Sequence, residues 1–225
     1  MPMHGSVEEA QRHELVMEPY DEFLQRVQDI HRLGALQGHL GWDQEVLMPA
    51  KGASSRGEMM AWLAGKRHEQ LTDSRMGELL GELEGKNLNE DQLANVREMR
   101  RTYDQAVRLP KSFVETFAQA RSEALVAWQS ARSESNFEAF KPTLRRLIEL
   151  THEKIGLLGV QSTPYDVLLD EYEVGMTVED YDPLFAGLRE RLVPLLEAIT
   201  QAQNTVEEPS MPDGLVFSIE AQKAF

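Results

Sequence analysis

Apolar residues along this chain recur at three- and four-residue steps, and strand-type alternation is nearly absent, so the pattern predicts an all-α fold. Phe23, Val27, Ile30, Leu33, Leu36 and Leu40 form the first stripe. Its helix is predicted to run from near Tyr20 to Met48, because Pro49 disfavours helical geometry in the residue before it. Ser55 and Glu58 have capping-box spacing and predict a second helix from there to about Leu71. A short helix around Gly77 to Leu83 precedes the turn-like "EGKN". Asn89 is placed to cap a helix that buries Leu93, Val96, Met99, Tyr103 and Ala106.

Leu109-Pro110 breaks the chain, and Pro110 suits a first helical turn. Phe113, Phe117, Ala120, Ala124, Trp128 and Ala131 line the next helix. "SESNFEAFKP" is read as a turn, with Pro142 restarting or kinking a helix that carries Leu144, Leu147, Ile148, Ile155 and Leu158. Residues 159–176 are read as a connector. Thr177 and Asp180 resemble a cap for a long helix with Leu184, Leu188, Leu192, Leu195 and Ile199, which Pro183 and Pro194 are expected to bend. Residues 204–216 are loop, punctuated by Pro and Gly. "FSIEAQKAF" opens like a capped amphipathic helix and ends after about two turns, as if cut off in mid-element. The domain reading is a tail over 1–17, a helical domain over 18–204, and a loop with the start of a helix over 205–225.

Composition narrows the possible partners. The 225 residues carry 23 Lys+Arg against 38 Asp+Glu, a net charge of −15. Nucleic acid and anionic membrane both require a basic footprint, so both are excluded as expected partners. No apolar run approaches membrane-spanning length. The polar start "MPMHGSVEEAQRHELVMEP" has no apolar core of secretory type, and the expected location is the cytoplasm. The chain has no cysteine. Disulfides, thiolate metal sites and thiol nucleophiles are therefore out of reach.

Two stretches approach the zinc-peptidase pattern H-E-x-x-H, which sets two imidazoles on one helical face beside a Glu that activates metal-bound water. His68-Glu69 is followed by Thr72 at the second ligand position, and His152-Glu153 by Gly156. Neither supplies the second imidazole, and both histidines are read as surface or helix-packing residues. Glu149 and His152 have the spacing of di-iron helical bundles, but no second such pair exists to complete that site. His31 and His39 lie two turns apart with nothing ligand-like between them on that face. Asp166, Asp170, Glu171 and Glu173 lack the register of a calcium loop and are read as a solvated face or as partners for arginines. In "HLGWDQEVLMP", Asp43 and Glu45 sit at a helix C-terminus, where the dipole favours cations. One of them is expected to meet a cation, Arg56 being nearest in sequence, while Trp42 packs inward against other helices of the chain.

Four stretches in series carry a resemblance. "LGALQGHLGWDQEVLMPAKGASSRGEMMAWLA", "RRTYDQAVRLPKSFVETFAQARSEALVAWQSAR", "NFEAFKPTLRRLIEL" and "PYDVLLDEYEVGMT" follow one another. Together they resemble the N-terminal part of the M32 metallocarboxypeptidases, the thermostable carboxypeptidase Taq family, and the final "SIEAQKAF" is similar to the segment before that family's catalytic half. The resemblance implies a helical fold with a deep groove whose N-terminal helices wall or screen it. It also implies release of C-terminal amino acids from peptides, zinc or cobalt as cofactor, and a homodimer. The family's H-E-x-x-H helix and its third ligand, a downstream Glu, would lie beyond residue 225. No catalytic, cofactor-binding or metal-ligating residue is therefore assigned here, and the chain alone is expected to be inactive and to bind no metal. A non-enzymatic helical scaffold is the alternative reading.

Overall fold

The computed structural model describes residues 18–160, 162–203 and 218–224; the predicted tail and the loop over 204–216 lie outside them. Among the described residues there are helices and no strand. They are α1 (Pro19–Val46), α2 (Ala53–Leu71), α3 (Ser74–Glu84), α4 (Glu90–Ala106), α5 (Lys111–Ser133), α6 (Phe137–Leu158), α7 (Pro164–Leu169), α8 (Val178–Gln203) and α9 (Ile219–Ala224). The helices group into two compact units, divided between Val160 and Gln161.

In the first unit α1 packs on α2 and α3, α3 on α4, α2 on α5, and α5 on α6. Phe23, Ile30, Met76, Leu79, Leu80 and Leu83 are almost completely buried and form the centre of the core with Leu71, Val96, Met99 and Ala106. Burial of each such side chain contributes roughly 1.5–3 kcal/mol before conformational entropy is charged against it. The α3 residues recur at steps of three, one and three, which puts them on the face that α1 and α4 enclose.

Several boundaries differ from the sequence reading. The Ser55–Glu58 capping box does not form. A single 3₁₀ turn, Ala50–Gly52, leads directly into α2 with the Ala53 N–H donating to the Ala50 carbonyl, so Ser55 lies inside the helix and not at its cap. α6 starts at Phe137, five residues before Pro142, because the Asn136 side chain accepts from the Ala139 N–H at 3.2 Å. Pro142 thus sits inside α6 and neither restarts it nor marks its start. The connector 159–176 contains α7. Thr163 accepts from the Asp166 N–H at 3.2 Å, and Asp166 accepts from the Thr163 N–H at 2.8 Å. Two of the expected caps do form. Asn89 and Gln92 make a capping box on α4, and Asp180 accepts from the Thr177 N–H at 2.9 Å at the head of α8.

Candidate functional site

The corner after α1 is built from three consecutive side chains that point three ways. Asp43 accepts a hydrogen bond from the Arg56 guanidinium, whose other nitrogen donates to the Leu40 carbonyl. Arg56 therefore neutralises an acid at a helix C-terminus, as the dipole requires, and donates to a carbonyl of the helix near that end. Gln44 is 6 % exposed. Its amide donates to the Ser122 carbonyl at 2.9 Å, and its oxygen accepts from the Ser122 hydroxyl at 3.0 Å. This bidentate clasp ties the end of α1 to the middle of α5.

Trp42 corrects the expectation of inward packing. It is 51 % exposed and stacks on His39, one turn earlier on the same helix, with centroids 5.8 Å apart. Phe23, Ile30 and Gln44 fall at multiples of seven residues and define the buried face of α1, and Trp42 stands well round from that line. Glu45 is exposed. The Gln44–Ser122 clasp escaped the sequence reading. The one usable signal was an amide standing where the seven-residue stripe calls for an apolar residue; nothing in the sequence singles out Ser122.

The histidines do not converge. His68 is 9 % exposed and bonded to the Leu109 backbone, and burial holds its pKa below the ordinary imidazole value of 6.5. Thr72, where a second imidazole would stand, donates its hydroxyl to the His68 carbonyl at 2.8 Å and finishes α2. Around His68, Lys111 bridges Glu69 at 2.5 Å and Glu115 at 3.4 Å. The Lys111 hydrogen bond, followed by one from Lys66 at 2.8 Å, draws the Glu69 carboxyl down to about 2. His152 is exposed on α6. Glu149 faces Arg146 at 3.8 Å. His31 and His39 are exposed. Among the described residues no three His, Asp or Glu side chains come together to hold a metal ion. The described residues do not fit a catalytic zinc, which needs three protein ligands.

Two of the acids over residues 166–173 hold backbone N–H groups. Asp166 accepts from the Val178 N–H at 2.8 Å as well as from Thr163, and these backbone donors lower its pKa. Asp170 accepts at 3.0 Å from the N–H of Gly175, whose φ of 78° favours glycine. Asp166 and Asp170 therefore brace the backbone between α7 and α8, while Glu171 and Glu173 are exposed.

A second polar cluster, also missed, joins α1 to α3. Arg75 reaches Glu22 at 2.8 Å, Glu82 at 2.8 Å and Glu78 at 3.2 Å, while Arg26 spans Glu22 at 3.2 Å and Asp73 at 3.1 Å. Arg75 is the first cause of the lowered Glu22 pKa. Glu22, Arg26, Arg75 and Glu82 line an open hollow of about 680 Å³, yet each is engaged with another charged group, so the hollow is a fastening between helices.

Fold and polar sites together define an all-α protein whose described ionisable groups hold helix ends and helix pairs in place. The Carboxypeptidase Taq (M32) metallopeptidase family model matches residues 22–225, and the chain belongs to that family. It is 35% identical to thermostable carboxypeptidase 1 of Thermus thermophilus over 223 residues, covering 92% of this chain and 42% of that protein. It is 31% identical to carboxypeptidase 1 of Bacillus subtilis over 185 residues, 81% of this chain and 37% of that one. The crystal structure of BsuCP superposes with a TM-score of 0.78 at 31% identity, over 81% of this chain and 37% of that chain. The chain thus spans about two fifths of the length of the curated relatives it matches.

Proposed function

We propose that this sequence forms the N-terminal part of a metal-dependent carboxypeptidase that releases C-terminal amino acids from peptides. The observation that carries the reading is the family match across residues 22–225, with relatives that are themselves named carboxypeptidases. In this reading α1 to α6 wall and screen a substrate groove and take no part in bond cleavage. The Arg56, Gln44 and Arg75 contacts support that role, because a wall that shapes access must be rigid. The metal, zinc or cobalt, belongs to the part of the family fold that this chain does not match. The whole enzyme is proposed to act in the cytoplasm as a homodimer.

The 225-residue chain itself is proposed to have neither turnover nor a specific metal site. Zinc titration by calorimetry, run beside an assay for C-terminal residue release with zinc or cobalt added, tests this. Weak, salt-sensitive zinc uptake by the acidic surface and no release are expected. One-to-one binding in the nanomolar range, or turnover that a chelator abolishes, would overturn the assignment and direct mutagenesis to His68, His152 and Glu149.

A further inference from the structure

Helix α8 has an apolar face that the described residues of its unit leave exposed. Leu184, Leu188, Leu192, Leu195 and Ile199 recur at three- and four-residue steps and so lie along one side. They are between 44 % and 56 % exposed. Phe185 and Leu196, 58 % and 65 % exposed, extend the face round the helix. Beside them an open furrow of about 650 Å³ runs along α8 past Phe185, Arg189, Val193 and Pro194. A contiguous apolar face of this breadth marks a missing partner.

Two observations say which partner. The family match continues through α8 and α9 to residue 225, so this face belongs to the shared fold and is no appendage. The relatives also carry about three fifths of their length outside the part this chain matches. We propose that the α8 face is the docking seam for that remaining part of an M32 fold, a polypeptide offering an apolar surface to Leu188, Leu192 and Leu195. The proposal rests on the carboxypeptidase reading above and adds where the two parts meet.

The test mixes this chain with the unmatched part of the Bacillus subtilis carboxypeptidase 1 and measures stoichiometry by light scattering after size exclusion. A one-to-one complex is expected, weakened about tenfold or more by the double change Leu188→Glu/Leu195→Glu in the centre of the seam. Should the complementary piece aggregate, hydrogen exchange is compared between this chain alone and a single polypeptide in which it replaces the matched part of that relative. The α8 amides are then expected to be protected about a hundredfold more in the joined protein.

Equal protection in the two proteins would overturn the proposal. So would a complex indifferent to the double change, or a homodimer of this chain that the double change dissolves. A complex that forms through α8 but releases no amino acids with zinc present leaves the seam standing and removes the carboxypeptidase reading.

Discussion

Gln44 and Trp42 sit two residues apart on one helix and have opposite relations to the rest of the molecule. Gln44 is buried and bonded twice to Ser122, so Gln44→Ala leaves the Ser122 hydroxyl without its acceptor in the interior. A loss of about 1–3 kcal/mol is expected, read as a shift in the urea midpoint at constant m-value. Trp42→Ala removes an exposed ring that touches His39, and a change within about 1 kcal/mol is expected in the same experiment. A larger loss for Trp42 than for Gln44 would reverse the account of the corner.

His68 makes stability depend on pH. Its folded pKa is depressed, mainly by burial, so between the folded and unfolded values the unfolded chain binds the additional proton. The contribution is complete above the unfolded value of about 6.5 and is lost as pH falls through the folded one. Thermal midpoints taken downward from pH 8 are expected to fall more steeply for the native protein than for His68→Gln, which keeps a donor for Leu109. Parallel profiles would show that the buried imidazole is not responsible.

At the scale of elements, α2 and α5 make the most extensive pairing in the first unit, and they do so across glycines. A Cβ placed on Gly65 would stand 2.1 Å from Glu115 Oε1 and 2.9 Å from its Cγ. Glu115 would have to leave, breaking its contact with Lys111. Gly65→Ala is therefore expected to destabilise by about 1–3 kcal/mol despite the better helix propensity of alanine. Gly81→Ala, with open space at its Cβ, is expected to be neutral or stabilising. Chemical denaturation of the two variants side by side checks the contrast. Sequence periodicity located these helices well, because a stripe at 3.6-residue spacing is a local property. It did not reveal that Gly65 faces Glu115, which depends on how two helices fifty residues apart come together.

Across the whole molecule, large apolar residues remain exposed on α8 and on the first unit, including Val46, Leu47 and Trp62 at 60 %, 64 % and 60 %. The isolated chain is expected to bind a hydrophobic dye, and Leu188→Glu/Leu195→Glu is expected to reduce that binding. A monomer that leaves the dye dark would count against a missing partner and for a self-sufficient helical scaffold.

The sequence by itself determined the fold class, most helix spans, the Asn89 and Thr177 caps, Arg56 as the nearest cation for Asp43 or Glu45, and the family. Each of these rests on residues close together in the chain or on a run of matched motifs. Only the tertiary structure decided that α2 needs no side-chain cap, that Trp42 faces outward, and that Gln44 closes on Ser122 seventy-eight residues away. It also decided that Thr72 finishes a helix where a metal ligand would stand. The physical reason is the same in each case. Which face of a helix is buried, and which donor satisfies a buried acceptor, is set by neighbours brought in from distant sequence, and a local pattern carries no record of them.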